Sequence, residues 1–256
     1  MIHAEKAAFS YDRKQPVLGD LTFDIRAGES VGLIGANGSG KTTLLKMITG
    51  LLPHTGRLSV YGLETEKENL RKIRRHAGLV FQDSESQLFM PSVYDDLVFG
   101  PRNYGMTAEE AEAVADAALA RLEIPHLKHR QNYKLSGGEK RLVCIAAVLA
   151  MQPDIILMDE PSITLDPANR RNLIHILNGM SETKLIASHD LDLIMETCER
   201  VILLQDGGIR ADGRSRDILC DEKLLGECHL ELPYCLQKPV WKEGRKICPD
   251  QMTKNS

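Results

Sequence analysis

Aromatic side chains are scarce in this sequence: Phe, Trp and Tyr make up 5% of 256 residues, and only five are Phe. Their placement is therefore informative, and two of the five, Phe81 and Phe89, bracket one polar stretch, FQDSESQLF. There is no excess of basic charge. The net charge of −4 excludes a general nucleic-acid binder, though a local basic patch stays open. No apolar run approaches the ~20 residues that cross a bilayer. The longest covers residues 142–151, and residues 1–10 lack a basic segment followed by an apolar one. A soluble chain is expected, one that acts at a membrane only through a partner. None of the six Cys forms a C-x-x-C pair, so reduced thiols are expected. The last four Cys, with His229, invite a metal-site reading, but their spacings are wide and irregular. Internal repeats and low-complexity linkers are absent too. What remains is ordinary globular composition, 43% hydrophobic and 27% charged, in a length that suits one large domain or two small ones.

Short strand patterns occupy residues 2–11, 21–25, 30–34, 57–61 and 78–81, with a polar turn at 12–15. Helical signals dominate residues 92–151, where Thr107 and Glu110 form a T-x-x-E capping box for a helix reaching about Leu122. A second helix is expected over 138–151. Strands at 155–158, 184–187 and 201–204 then alternate with helices at 169–177 and 191–197, and Asp206-Gly207-Gly208 reads as a hairpin turn. Such alternation predicts an α/β core with a largely parallel sheet. Residues 237–256 read as a loosely ordered polar tail.

Three motifs carry chemistry. GANGSGKT at residues 35–42 matches G-x-x-x-x-G-K-[ST], the phosphate loop of P-loop NTPases. Gly35, Gly38 and Gly40, with Asn37 and Ser39, let backbone N–H groups converge on a phosphate, and the helix through Thr43 directs its positive end there. Lys41 adds charge for the β- and γ-phosphates of ATP, and Thr42 offers a hydroxyl to Mg²⁺. The bland reading, a glycine-rich turn with a surface lysine, ignores the strand before it and the helix after it. In IILMDE, residues 155–160, a buried strand delivers two carboxylates to its C-terminal end, where ligands bind in open α/β sheets. Asp159 is expected to hold Mg²⁺, and Glu160 to polarise the attacking water as general base. Standing alone, the pair would equally suit an acidic helix cap. In LSGGEKR, residues 135–141, Ser136, Gly137 and Gly138 open a helix and leave free N–H donors, a second anion site that a single ATP does not obviously need.

The order of these motifs, with a glutamine after a strand and a lone histidine downstream, resembles the ABC-type ATPases over residues 1 to about 233. The resemblance implies a mostly parallel core sheet, an N-terminal antiparallel β subdomain, an inserted helical subdomain at about 83–151, and a C-terminal tail at 234–256. It implies a head-to-tail dimer in which each ATP lies between the phosphate loop of one subunit and Ser136, Gly137 and Gly138 of the other. It further implies that Tyr11 stacks on adenine, where the alternative is a core tyrosine at a strand end. Gln82 then reaches Mg²⁺ and the attacking water, and His189 contacts the γ-phosphate, although a lone loop histidine is usually silent. Asp166 communicates across the dimer. Two residues depart from the family pattern: Glu139 stands where glutamine is usual, which a helix start tolerates, and Ile163 where a small or polar residue is usual.

Residues 79–106 resemble the energy-coupling-factor branch of importer ATPases through Gln87-Leu88-Phe89 and Phe99-Gly100-Pro101. The stretch at 183–213 followed by HLELP is similar to the cobalt/nickel group of that branch. The implied function is an ATP-hydrolysing subunit that energises a membrane importer for cobalt or nickel. Gln87, Leu88 and Phe89 would take up a short helix of the membrane partner; the bland alternative makes Leu88, Phe89 and Met90 core. The implied partners are a second ATPase subunit, an integral membrane coupling subunit and a substrate-binding membrane subunit, with no nucleic acid. The implied location is peripheral, on the cytoplasmic face of the cell membrane. A vitamin importer of the same branch, or a soluble ABC ATPase acting on a protein scaffold in iron–sulfur assembly, are the alternatives.

Overall fold

Strands β3 (Ser30–Ile34), β7 (Ile155–Asp159) and β8 (Thr183–Ala187) are buried at every position, which is why residues 31–34, 155–158 and 185–187 read as short apolar runs and not as alternating ones. In the computed structural model, which describes residues 1–11 and 16–237, they form the middle of a six-stranded sheet. The strand order is β10-β9-β3-β8-β7-β6, adding β6 (Ala77–Val80), β9 (Arg200–Gln205) and β10 (Gly208–Arg214). All its pairings are parallel except that of β10 with β9. That antiparallel edge is the expected hairpin, with Asp206 and Gly207 both at positive φ in its two-residue turn.

A second sheet is antiparallel, in the order β2-β1-β4-β5, from β1 (Ile2–Phe9), β2 (Leu18–Ile25), β4 (Thr55–Val60) and β5 (Leu63–Glu64). Burial in β2 nearly alternates, so one face meets solvent. Its inner face packs with helix α1 (Lys41–Ile48) against one side of the parallel sheet. Successive residues of the parallel strands serve different cores: Ile155 and Leu157 join that cluster, while Ile156 and Met158 join a larger one on the opposite side. The fold is thus α/β with a mostly parallel core sheet and an N-terminal antiparallel sheet, as expected.

Helix α2 (Leu70–His76) precedes β6, and α3 (Ser84–Gln87), α4 (Val93–Asn103), α5 (Ala108–Arg121) and α6 (Gly137–Leu149) lie between β6 and β7. The Thr107–Glu110 capping box is present, with bonds of 2.8 and 3.2 Å. A second box joins Ser136 to Glu139 at the start of α6, so the glutamate at the departing position caps its own helix. Helices α7 (Pro167–Asn178), α8 (Leu191–Thr197), α9 (Ser215–Leu219) and α10 (Glu222–Glu227) complete the order. The turn expected at 12–15 and all but the first residue of the tail expected at 237–256 lie outside the described residues. Among the described residues the five Cys are free thiols, and no cluster of His, Cys, Asp or Glu is built to hold a metal.

Asp96 of α4 is a buried acid without a basic partner among the described residues. Its carboxylate accepts from Phe89 N at 3.3 Å, Met90 N at 3.2 Å and the Asn132 amide. It therefore pins the segment that follows the polar stretch. Asp96→Ala leaves those donors unsatisfied and is expected to cost about 2–3 kcal/mol in urea unfolding; an unchanged midpoint would show that the segment holds without it.

Candidate functional site

The C-terminal ends of β3, β6, β7 and β8 open on one edge of the parallel sheet. Between β3 and α1 the chain makes the glycine-rich loop. Gly40 has φ +101°, and a Cβ there would meet Leu18 Cδ2 at 2.3 Å; Gly38 has φ +82°. Only glycine holds those angles without strain, so the sequence fixes this loop locally. It borders a cavity of about 290 Å³. Asn37, Gly38, Gly40, Lys41, Thr42 and Thr43 line it from the loop, and Gln82, Asp159 and Glu160 from the ends of β6 and β7. Residues far apart in sequence thus meet at one cavity. Gly35 and Ser39 shape the loop without lining it; Ser39 Oγ is buried with no hydrogen-bond partner.

Lys41 Nζ donates to Gly35 O at 2.7 Å and to Ala36 O at 3.2 Å, holding its charge at the cavity wall. Burial pulls its ammonium below the usual range, while Glu160 and Asp159 oppose that pull. Burial raises the Asp159 carboxyl, against a hydrogen bond from Thr42. Asp159 Oδ1 is buried without a partner. An orphaned carboxylate oxygen beside a hydroxyl is the donor set a small hard cation takes, and it fits Mg²⁺.

Glu160 follows β7 at φ +51°, an uncommon conformation for a side-chain-bearing residue and one that clusters at functional sites. The residue is 5% exposed and its carboxylate is fully engaged. Ser188 Oγ donates to Oε2 at 3.1 Å, His189 N lies 3.1 Å from Oε1, and His189 Nδ1 lies 2.7 Å from Oε2. The two residues assigned separately from sequence are therefore one pair, set by the segment after β8. The ring of His189 is exposed on its other side and borders a wider cleft, of about 710 Å³, together with Ile163.

Ser136, Gly137 and Gly138 do not line the phosphate-loop cavity. Gly137 and Gly138 sit beside Thr164 and Leu165, and the Thr164 hydroxyl donates to Gly137 O at 3.4 Å. Asp166 caps α7 by accepting from Asn169 N at 2.9 Å, one turn from that spot. Tyr11 is 69% exposed and packs edge-on to Phe9 at 4.7 Å, so the core alternative for it does not hold.

The polar stretch after Gln82 needs one correction. Gln87 was expected to face a partner, but both ends of its amide are used internally: Oε1 accepts from Phe81 N and Nε2 donates to Cys144 O, each at 3.0 Å. Leu88 is half-buried against the helical core. Phe89 is 63% exposed and meets Phe99 edge-on at 4.9 Å. Sequence reasoning missed Ser188 and Arg141. The signal for Ser188 was a polar residue closing an apolar strand; for Arg141 it was a charge entering an otherwise apolar helix.

One consequence of the site needs no ligand to test. A raised carboxyl means that folding disfavours its charged form, so neutralising it relieves the folded state at neutral pH. Asp159→Asn is expected to raise the Tm of the nucleotide-free chain. A fall in Tm would show that the charge is already satisfied.

The ABC transporter family pattern matches residues 18–163. A provisionally named ABC transporter ATP-binding protein of Geobacter sulfurreducens is 47% identical over 221 residues, 86% of this chain and 89% of the relative. The energy-coupling factor transporter ATP-binding protein EcfA of Methanothermobacter thermautotrophicus is 37% identical over 239 residues, 91% of this chain and 77% of the relative. Among solved structures, that of cbiO1 from Clostridium perfringens, described as part of the ABC transporter complex cbiONQ, superposes with a TM-score of 0.78 at 31% identity, covering 91% of this chain and 95% of that one. With a phosphate loop, a buried Asp-Glu strand end and a histidine gathered at one sheet edge, the chain belongs to the ABC transporter family, as one of its ATP-binding and ATP-hydrolysing cassettes.

Proposed function

We propose that this cassette energises an importer of the energy-coupling-factor type whose cargo is a cobalt or nickel ion. The observation that carries the reading is the groove next to Phe89. It encloses about 300 Å³ and is lined by Leu88, Phe89, Met90 and Pro91 from the segment after α3 and by Asn132 and Tyr133 from the turn before α6, with Glu85 and Lys140 beside them. Phe89, Phe99 and Tyr133 are all exposed, in a chain where aromatics are few. Exposed aromatics around a concave apolar surface suit a short helix of a membrane protein. The groove connects through residues 83–87 to Gln82 at the phosphate-loop cavity. A soluble scaffold ATPase has no need of that connection. Similarity to an EcfA protein and to cbiO1 supports the branch, and the resemblance of residues 183–213 to the cobalt/nickel group favours a metal cargo over a vitamin.

In this reading the loop from Gly35 to Thr43 cradles the phosphates, with Lys41 on their charge and Tyr11 on adenine. Thr42, Asp159 and Gln82 hold Mg²⁺, which when bound offsets charge developing on the phosphates. Glu160 accepts the proton of the attacking water, Ser188 and His189 hold its carboxylate in place, and His189 is the residue assigned to contact the γ-phosphate. Ser136, Gly137 and Gly138 complete the ATP site of a second subunit, with Asp166 beside that contact. Residues 1–233 form the nucleotide-binding unit and 234–256 an appended tail. No helix among the described residues is long and apolar enough to cross a membrane. The chain then works as a peripheral subunit at the cytoplasmic face, beside a coupling subunit and a substrate-binding membrane subunit.

Two substitutions separate the parts of this reading. Glu160→Gln is expected to lower steady-state ATP turnover by about 10²-fold or more while leaving nucleotide binding intact; wild-type turnover would remove Glu160 as the base. Phe89→Asp, at an exposed position, is expected to change stability by less than ~0.5 kcal/mol. Basal ATP turnover of the isolated chain should persist while metal uptake by the assembled importer is lost. Normal uptake would exclude the groove as the coupling surface.

A further inference from the structure

Arg141 is the largest fully buried side chain of the described residues, at 0% exposure. No carboxylate pairs with it among the described residues. Its two terminal nitrogens instead donate to consecutive carbonyls, Phe81 O and Gln82 O, both at 2.5 Å, while Nε has no partner. Burial draws the guanidinium below its usual range, opposed by the fields of Cys144, Asp159, Glu160 and Asp83. A buried, unpaired charge is a poor way to hold a core together, and an apolar side chain of similar volume would serve stability better. What arginine alone supplies is a rigid planar fork with donors at a fixed spacing. Here the fork grips the backbone of the residue that lines the phosphate-loop cavity.

Further contacts bind the same two pieces. Gln87 bridges Phe81 N to Cys144 O of α6, Cys144 Sγ lies 3.6 Å from Ser84 O, and Lys140 pairs with Glu85 at 2.6 Å. Arg141, Cys144 and Lys140 all belong to α6, the helix that Ser136 caps and Gly137 and Gly138 begin. The Gln82 segment and α6 are therefore one mechanical piece, clamped at both the N–H and the C=O of Phe81.

Resting on the dimer reading above, we propose that Arg141 is a positioning residue that ties Gln82, at this subunit's own nucleotide, to the Ser136–Gly138 end of α6, which meets the nucleotide of the second subunit. A movement of Gln82 toward a bound γ-phosphate is carried by the fork to α6, so occupancy of one ATP site sets the fit of the other. Gln87 is the second strut of the clamp.

The test is ATP hydrolysis by the purified full-length chain with Mg-ATP, in Arg141→Lys and Gln87→Leu, each alone and combined with Gln82→Ala. Lysine keeps the charge but cannot span two carbonyls. In the Gln82 background the proposal expects the single variants to lose about 10- to 100-fold in kcat, with KM for ATP within about twofold and the Hill coefficient driven to one. In the Gln82→Ala background the same changes should cost less than about twofold more. A structural role alone would lower Tm and add its full loss in both backgrounds, and that result overturns the proposal. So does wild-type kcat and cooperativity in both variants. If Arg141→Lys fails to fold, Gln87→Leu, at a half-buried position, gives the same reading. A Glu160→Gln control run alongside keeps the inferences apart: if it hydrolyses ATP like the wild type, the proposed function fails whatever the clamp variants do.

Discussion

Burial of both faces of the parallel sheet is the constraint on which the rest depends. With β3, β7 and β8 covered on each side, polar groups are few along the strands and the chemistry-bearing ones collect at their C-terminal ends. The glycine-rich loop, Gln82, Asp159-Glu160 and Ser188-His189 are these strand-end residues. Parallel pairing puts all of them on one edge, so chemistry scattered over more than 150 residues converges. The same edge supplies the field that acts on Lys41, where burial and two carboxylates pull in opposite directions.

Two joints leave that edge. One is short and polar: Glu160 at positive φ, held by Ser188 and His189, gives a carboxylate of fixed aim beside the cavity. The other is mechanical. Gln82 is gripped by Arg141, its segment ends at Phe89, and Asp96 pins Phe89 and Met90 by their backbone N–H groups. Between cavity and groove the chain is fixed at Phe81, Gln82, Gln87, Phe89 and Met90. A loop held at so many points transmits displacement, where a free loop would absorb it.

The parts legible in the sequence were those set locally. Glycines at 35, 38 and 40, apolar runs ending in acid, the Thr107–Glu110 box and the Asp206-Gly207 turn each follow from residues next to one another, and each appears where expected. Helix α2 was not foreseen because Ile73 is its only buried residue, and β5 because it is two residues long. Arg141 and the true place of Gln87 were illegible for a different reason. Arg141 reaches Phe81 O and Gln87 reaches Cys144 O, backbone atoms some 60 residues distant, and no local spacing encodes such a bond. Polar residues in FQDSESQLF read as solvent-facing loop, yet Gln87 spends its amide on backbone groups, Phe81 N and Cys144 O of α6.

In the proposed function, ATP hydrolysis at the sheet edge drives a membrane protein through the groove at Phe89. The most direct measurement places a photo-crosslinking amino acid at position 89 in the chain expressed in its native membranes. The account predicts capture of a cytoplasm-facing segment of an integral membrane protein, with a yield that changes when Mg-ATP is added to the Glu160→Gln form. Crosslinks confined to soluble proteins, or to another copy of this chain, would contradict it.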